Sequence, residues 1–169
     1  MNERAPRATL LVVDDEKHQR ESLQMILEDE GYRVTAAADG RQALVLAGET
    51  HPEVVLTDLK MPGLSGMDLV RALAEGPLPP RVILITAHGS VERAREAHRL
   101  GAFDYMSKPV VADELLFRVE RALESHRLAE KTLRLERRLK GDPLEAMVGE
   151  SSAMREVFRL VEKIAPTQS

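Results

Sequence analysis

The sequence predicts an α/β fold in which helices cover both faces of a parallel, doubly wound sheet. Five short β-like runs alternate with helical stretches, and the connections between them are short. Three of the runs are almost entirely apolar, as strands buried on both faces are. The 169 residues are enough for one domain with a real core and an extension.

The apolar runs predict the central strands of the sheet. They are Thr9–Val13, Val54–Thr57 and Arg81–Ile85. The runs Arg33–Ala37 and Phe103–Met106 mix polar with apolar residues, which favours positions at the two edges.

Four amphipathic stretches between these strands predict helices that each bury one face. They are Glu16–Glu30, Gly40–Ala47, Gly66–Ala74 and Ser90–Leu100. Gly31 and Gly101 directly follow two of them and are typical helix stops, and Ser90 is a candidate N-cap.

A much longer helix is predicted after the last strand, over Ala112–Lys140, and Pro143 lies just beyond its end. Alternating four- and three-residue steps along it form a candidate coiled-coil seam of about three heptads. The seam comprises Leu115, Val119, Ala122, His126, Ala129 and Leu133. It favours a dimer, and the alternative is a solvated helix whose first turns pack on the sheet. A last amphipathic stretch, Ser152–Ile164, is expected to open a further domain.

Composition excludes several classes of function. A net charge of −4 and 3% aromatic residues argue against direct nucleic-acid binding. The chain has no cysteine, so disulfides, thiolate metal sites and a cysteine nucleophile are excluded. Neither a signal core nor an apolar run of bilayer length is present, so we expect a cytoplasmic location and no membrane partner.

Polar residues follow four of the predicted strands, at the carboxyl ends where open α/β sheets place their sites. Asp14 and Asp15 follow the first strand, Asp58 the third, Thr86 the fourth and Lys108 the fifth. Crowded carboxylates repel one another unless a cation intervenes, and Mg²⁺ with its oxygen ligands suits them. A carboxylate in such a site can attack phosphorus and form an aspartyl phosphate.

In this interpretation one carboxylate is the phosphoryl acceptor, Lys108 can pair with the phosphoryl oxygens and Thr86 can donate a hydrogen bond to one of them. Each residue also has an ordinary alternative. Asp14 or Asp15 alone could be a helix N-cap, Asp58 a turn residue, Thr86 a strand end and Lys108 a solvated charge. All of these alternatives holding together at one sheet edge is improbable.

The segments around these residues resemble the receiver domain of two-component response regulators, over roughly Thr9 to Leu123. The matching segments are Leu11-Val12-Val13-Asp14-Asp15-Glu16, Leu56-Thr57-Asp58-Leu59-Lys60-Met61-Pro62, Ile85-Thr86-Ala87 and Lys108-Pro109. The resemblance implies a flavodoxin-like, CheY-like sheet of order 2-1-3-4-5. It also implies a cis peptide before Pro109.

The resemblance also implies a role for each site residue. Asp58 matches the phosphoryl acceptor, Asp15 the direct Mg²⁺ ligand and Asp14 its water-mediated neighbour. The main-chain carbonyl of Lys60 would complete the protein ligands. Thr86 and Tyr105 match a switch pair, in which the hydroxyl moves toward the phosphoryl group and the ring turns inward; Tyr105 could also be an ordinary edge-strand aromatic.

The flanking sequence is similar to that of NtrC-type regulators, whose AAA+ ATPase domain activates sigma-54 RNA polymerase. The similarity lies in Gly101-Ala102-Phe103-Asp104-Tyr105 and Val148-Gly149-Glu150-Ser151-Ser152-Ala153-Met154. We therefore expect an N-terminal tail (1–8), a receiver domain (9–123), a coiled-coil linker (124–142) and the start of an AAA+ domain (143–169). No G-x-x-x-x-G-K-[ST] motif is present, so we expect no ATP hydrolysis by this chain.

These expectations combine into a phosphorylation switch that uses Mg²⁺ and a sensor histidine kinase. Phosphorylation would change a homodimer formed through the linker and the face of the fourth helix, fifth strand and fifth helix. Sigma-54 RNA polymerase and DNA would be reached only through downstream domains. The alternatives are a Mg²⁺-dependent phosphatase, whose Asp-x-Asp motif is not matched by Asp14-Asp15, a nucleotide-binding module, and a constitutive dimerisation module.

Overall fold

The computed structural model of the chain describes residues 4–141, and the predicted stretch Ser152–Ile164 lies outside them. The chain divides into two compact units, residues 1–128 and residues 129–169. The first holds the whole sheet, and in the second the structure describes the last turns of the long helix.

All five strands are parallel and lie in the order β2-β1-β3-β4-β5, which confirms the predicted topology and both predicted edges. The strands are β1 (Thr9–Val13), β2 (Arg33–Ala37), β3 (Val54–Asp58), β4 (Arg81–Thr86) and β5 (Asp104–Ser107). β1 and β2 match their predicted bounds. β3 and β4 each include one further residue, Asp58 and Thr86, so these two site residues end their strands.

In the part of the chain that the structure describes, five helices connect and follow the strands. They are α1 (Lys17–Asp29), α2 (Gly40–Thr50), α3 (Gly66–Leu73), α4 (Val91–Arg99) and α5 (Ala112–Leu139). The predicted ends hold: Gly31 and Gly101 adopt φ of 90° and 107°, and the Ser90 hydroxyl caps α4 by accepting from the Arg93 N–H. None of the described helices combines the length and the apolarity needed to cross a membrane.

Two apolar cores lie on opposite faces of the sheet, because successive residues of a strand point to opposite sides. In β1, Leu10 and Val12 belong to the core under α1 and α5, whereas Leu11 and Val13 belong to the core under α2 and α3. All four side chains are buried. With both faces covered, the central strands β1, β3 and β4 expose little but their ends.

The first turns of α5 pack on this sheet, which corrects part of the predicted coiled-coil seam. Leu115, Val119 and Ala122 are fully buried in the core that contains Leu10, and His126 is buried as well. Their spacing reflects burial against the chain's own sheet, because a helix face that covers a core has nearly the same apolar period as a coiled-coil seam. These four residues therefore offer no surface to a second chain.

Gly66 begins α3 directly against the end of β3. A Cβ at this position would clash with the main-chain carbonyl oxygen of Asp58 and would lie 2.9 Å from the Cα of Leu59. Both neighbours are backbone, so relief would require the strand end or the helix to move. The missing side chain of Gly66 thus lets α3 approach the strand that carries Asp58.

We expect Gly66→Ala to lower the free energy of unfolding by about 1–3 kcal/mol, the usual cost of forcing extra volume into a packed site. Urea unfolding measures the change. Gly48→Ala is the control, because a Cβ there meets no atom within 4 Å. A Gly66→Ala chain as stable as the wild type would contradict the close approach.

Candidate functional site

Three carboxylates and one ammonium meet at the carboxyl ends of β1, β3 and β5. Carboxylate oxygens of Asp14, Asp15 and Asp58 lie within 4.8 Å of one another. Lys108 Nζ lies 3.3 Å from Asp58 Oδ2 and 3.6 Å from Asp14 Oδ2. The register explains the meeting, since Val13 pairs with Thr57 and Thr86 pairs with Ser107, which aligns the strand ends along one edge.

Asp14 is the most deeply placed of the three carboxylates, at 1% exposed. Its Oδ1 accepts a hydrogen bond from the Glu16 N–H at 2.9 Å. Burial raises the pKa of Asp14; the Glu16 N–H and the Lys108 ammonium oppose this, and the neighbouring charges of Asp58 and Asp15 add to it. The hydrogen bond and the positive charge near Asp14 therefore do not fully offset the cost of burying its ionised carboxylate.

Lys108 is held between two of the carboxylates, and its side chain is largely buried. Burial by itself would lower the pKa of Lys108, but attraction to Asp14 and Asp58 outweighs it and raises the pKa above its usual value. Lys108 is thus a fixed positive charge at the site. The Lys108–Pro109 peptide is cis, as the resemblance implied.

The donor set fits a divalent cation with oxygen ligands. Three carboxylates against one ammonium leave two negative charges without compensation, and the raised pKa of Asp14 indicates the same shortage of positive charge. Hard oxygen donors of this kind suit Mg²⁺. Lys60, a further predicted ligand, lies two residues after Asp58, and its N–H donates to Asp58 Oδ1 over 3.4 Å; the role of its carbonyl stays a prediction.

The two residues of the predicted switch pair both bond to the backbone of His88. The buried Thr86 hydroxyl accepts from the His88 N–H at 3.2 Å. The half-buried Tyr105 hydroxyl donates to the His88 carbonyl at 3.3 Å. The sequence did not predict this shared partner, because main-chain groups leave no trace in residue identity.

A second contact that the sequence did not predict involves Arg20 in α1. Its Nη1 donates to the main-chain carbonyl oxygen of Asp14 at 2.8 Å. From the sequence, an arginine one turn into an amphipathic helix is most simply a solvated charge. Only its six-residue separation from Asp14 hinted at a contact with the loop.

We expect Asp14→Asn to be more stable than the wild type at neutral pH without metal. The pKa of Asp14 is higher in the folded than in the unfolded chain, so this group favours folding at low pH, and that contribution is lost as the pH rises through the folded pKa. Asparagine does not ionise there. The urea midpoint at pH 7 with EDTA should exceed that of wild type, and the difference should shrink toward pH 4; an equal or lower midpoint at pH 7 would contradict the account.

The comparisons with known proteins agree with this geometry. Residues 10–120 match the response regulator receiver domain family. The chain is 38% identical over 162 residues to the C4-dicarboxylate transport transcriptional regulatory protein DctD of Pseudomonas aeruginosa. The match covers 95% of this chain and 35% of that protein. It is 33% identical over 160 residues to the DNA-binding transcriptional regulator NtrC of Salmonella typhimurium. That match covers 94% of this chain and 33% of the relative.

A solved structure extends the likeness. The crystal structure of NtrX from Brucella abortus is 36% identical, with a TM-score of 0.70, and the match covers 96% of this chain and 35% of that one. The chain thus spans about a third of the length of the curated relatives it matches. Family match, sheet order and relatives lead to one conclusion: the chain belongs to the response regulator receiver family, with the NtrC-type relatives that its flanking sequence predicted.

Proposed function

We propose that the chain is a switch controlled by phosphorylation of Asp58. The observation that carries this proposal is the environment of Asp58, the last residue of β3. Lys108 Nζ lies 3.3 Å from Asp58 Oδ2, and the carboxylates of Asp14 and Asp15 lie close by. The site offers a nucleophilic oxygen, a fixed cation and ligands for a metal. The phosphoryl donor would be a sensor histidine kinase or a small phosphodonor.

Asp14, Asp15, Asp58 and the Lys60 carbonyl would hold Mg²⁺. Bound there, the ion would supply positive charge against the oxygens of an incoming phosphoryl group. The protein residues contribute by holding the reacting groups in position. An Asp58 oxygen forms the bond to phosphorus as the donor's leaving group departs with the bonding electrons, and Lys108 pairs with the phosphoryl oxygens as a point charge.

Thr86 and Tyr105 would read the modification. If Thr86 turns so that its hydroxyl donates to a phosphoryl oxygen, the bond that it accepts from the His88 N–H would weaken. The carbonyl of the same residue holds the Tyr105 hydroxyl. A change at Thr86 therefore reaches Tyr105 through one residue of backbone, which would bias two conformations that both exist beforehand.

The output would be the pairing of two chains. We propose that residues 9–123 are the receiver, residues 124–142 a coiled-coil linker and residues 143–169 the start of an AAA+ domain. The homodimer would form through the linker and through the face of α4, β5 and α5. Since the buried part of the predicted seam is unavailable, the linker contact falls to later residues such as the exposed Leu135 and Leu139. Sigma-54 RNA polymerase and DNA would be engaged by further domains, in the cytoplasm.

Acetyl phosphate with MgCl₂ tests the proposal. We expect the intact mass of the chain to rise by one phosphoryl group, and EDTA to abolish the change. Sedimentation of the chain with and without beryllofluoride should then differ, because the mimic would shift the dimer equilibrium. An unchanged mass with acetyl phosphate would count against phosphoryl acceptance, and identical sedimentation would favour a constitutive dimerisation module.

A further inference from the structure

Arg20 reaches back from the first turn of α1 to the loop that carries Asp14 and Asp15. Its Nη1 donates to the Asp14 main-chain carbonyl oxygen at 2.8 Å, and its side chain is half-buried. Among residues 4–141 the guanidinium forms no ion pair with a carboxylate. Its bond to Asp14 is therefore directed at the backbone of the loop, and a charged donor makes such a bond short and strong.

The loop between β1 and α1 is short, and its two aspartates are held very differently. The Asp14 N–H donates to the Ala37 carbonyl, and the Asp14 carboxylate is held by the Glu16 N–H and by Lys108. Asp15 is exposed, and within the described part of the chain its carboxylate has no hydrogen bond or ion pair. Because no bond of its own holds the Asp15 carboxylate in this part of the chain, its position depends on how the loop backbone is held.

The carbonyl that Arg20 holds belongs to the peptide that joins Asp14 to Asp15. Rotation of this peptide would swing Asp15 while the anchored Asp14 carboxylate stayed in place. Arg20 is the side chain that opposes the rotation.

We propose that Arg20 is a positioning residue of the metal site. By fixing the oxygen of the Asp14–Asp15 peptide, it keeps the Asp15 carboxylate within ligand distance of Asp14 and Asp58. The inference rests on the proposed function, since it concerns the cation that this function requires.

A positioning role of Arg20 and the charge of Arg20 predict opposite effects of its removal on the affinity for Mg²⁺. A guanidinium beside a cation site repels the cation, so its charge alone would weaken Mg²⁺ binding, and a neutral residue would then bind Mg²⁺ more tightly. A positioning role predicts weaker binding in the neutral variant. Lys17→Met is the matched control, because Lys17 lies on the same helix, is exposed and, among residues 4–141, pairs only with Glu21 at 3.8 Å.

The test is a MgCl₂ titration of the 169-residue chain by calorimetry and by amide chemical shifts. We expect Arg20→Met to raise the dissociation constant for Mg²⁺ by about 10-fold, as loss of a residue that orients a ligand does. Lys17→Met should bind at least as tightly as the wild type. Labelling by acetyl phosphate should be slow in Arg20→Met at low Mg²⁺ and should recover at saturating Mg²⁺. Arg20→Gln, too short to reach the carbonyl, replaces the methionine variant if that chain does not fold.

The outcomes separate the two proposals. If the wild-type chain binds Mg²⁺ and the dissociation constant for Mg²⁺ is unchanged or smaller in Arg20→Met, the positioning role of Arg20 is overturned and the proposed function is not. A folded Arg20→Met chain that stays unlabelled at saturating Mg²⁺ would also overturn the positioning role. A wild-type chain that binds no Mg²⁺ would overturn the proposed function and this inference together.

Discussion

An Asp58→Asn chain is expected to take up no phosphoryl group from acetyl phosphate, at any Mg²⁺ concentration. The amide keeps the size of the side chain and can still accept from the Lys60 N–H, but it has no carboxylate oxygen to attack phosphorus. The loss should be complete, because Asp14 is buried against Lys108 and Asp15 is an exposed member of the acidic cluster that we propose to hold the metal. Intact mass after incubation measures the effect.

Asp29→Asn is the matched control for this variant. Asp29 is exposed at the last residue of α1, outside the acidic cluster, and makes the same change of charge. Its labelling should equal that of the wild type. Labelling of Asp58→Asn at a wild-type rate would mean that another residue accepts the group, and the account of the site would be wrong.

The second large effect is expected for Lys108→Met, which should separate metal binding from recognition of the phosphoryl group. Removing the ammonium leaves three carboxylates without their fixed cation, so Mg²⁺ should bind more tightly than in the wild type. Beryllofluoride should bind about 10- to 100-fold more weakly, which corresponds to the loss of a charged hydrogen bond of about 1.5–3 kcal/mol.

Amide chemical shifts follow both ligands in one set of spectra. Lys131→Met, which removes an exposed charge from α5, controls for the change in net charge and should leave both affinities unaltered. Beryllofluoride affinity that survives in Lys108→Met would show that Lys108 compensates the resting carboxylates and has no part in holding the phosphoryl group.

Much of the fold could be predicted because the governing patterns are local. The three apolar runs predicted β1, β3 and β4 as central strands, and alternation with helices predicted a parallel sheet. The geometry of a parallel sheet then predicted which site residues lie together. Carboxyl ends of parallel strands share one edge, so Asp14, Asp58 and Lys108 could be expected together although they are far apart in the chain.

The error over the coiled-coil seam and the missed contact of Arg20 share one physical origin, which is that the partner of a residue is not written in its own segment. The spacing of Leu115, Val119 and Ala122 fits both a second chain and the chain's own sheet, and only the packed structure shows that the sheet takes them. The end of α2 is a separate case, because its signal is local: the helix runs three residues past its predicted end at Ala47 and stops where His51 turns left-handed before Pro52. The contact of Arg20 depends on a carbonyl, which no residue type announces.

Locating the phosphoryl group itself tests the phosphorylation of Asp58 most directly. The wild-type chain is phosphorylated with acetyl phosphate and Mg²⁺, reduced with borohydride, which converts an aspartyl phosphate to homoserine, and digested for peptide mass spectrometry. We expect homoserine at Asp58 and unmodified aspartate at Asp14 and Asp15. Homoserine at either of those positions, or none anywhere in a chain shown to be folded, would contradict this expectation.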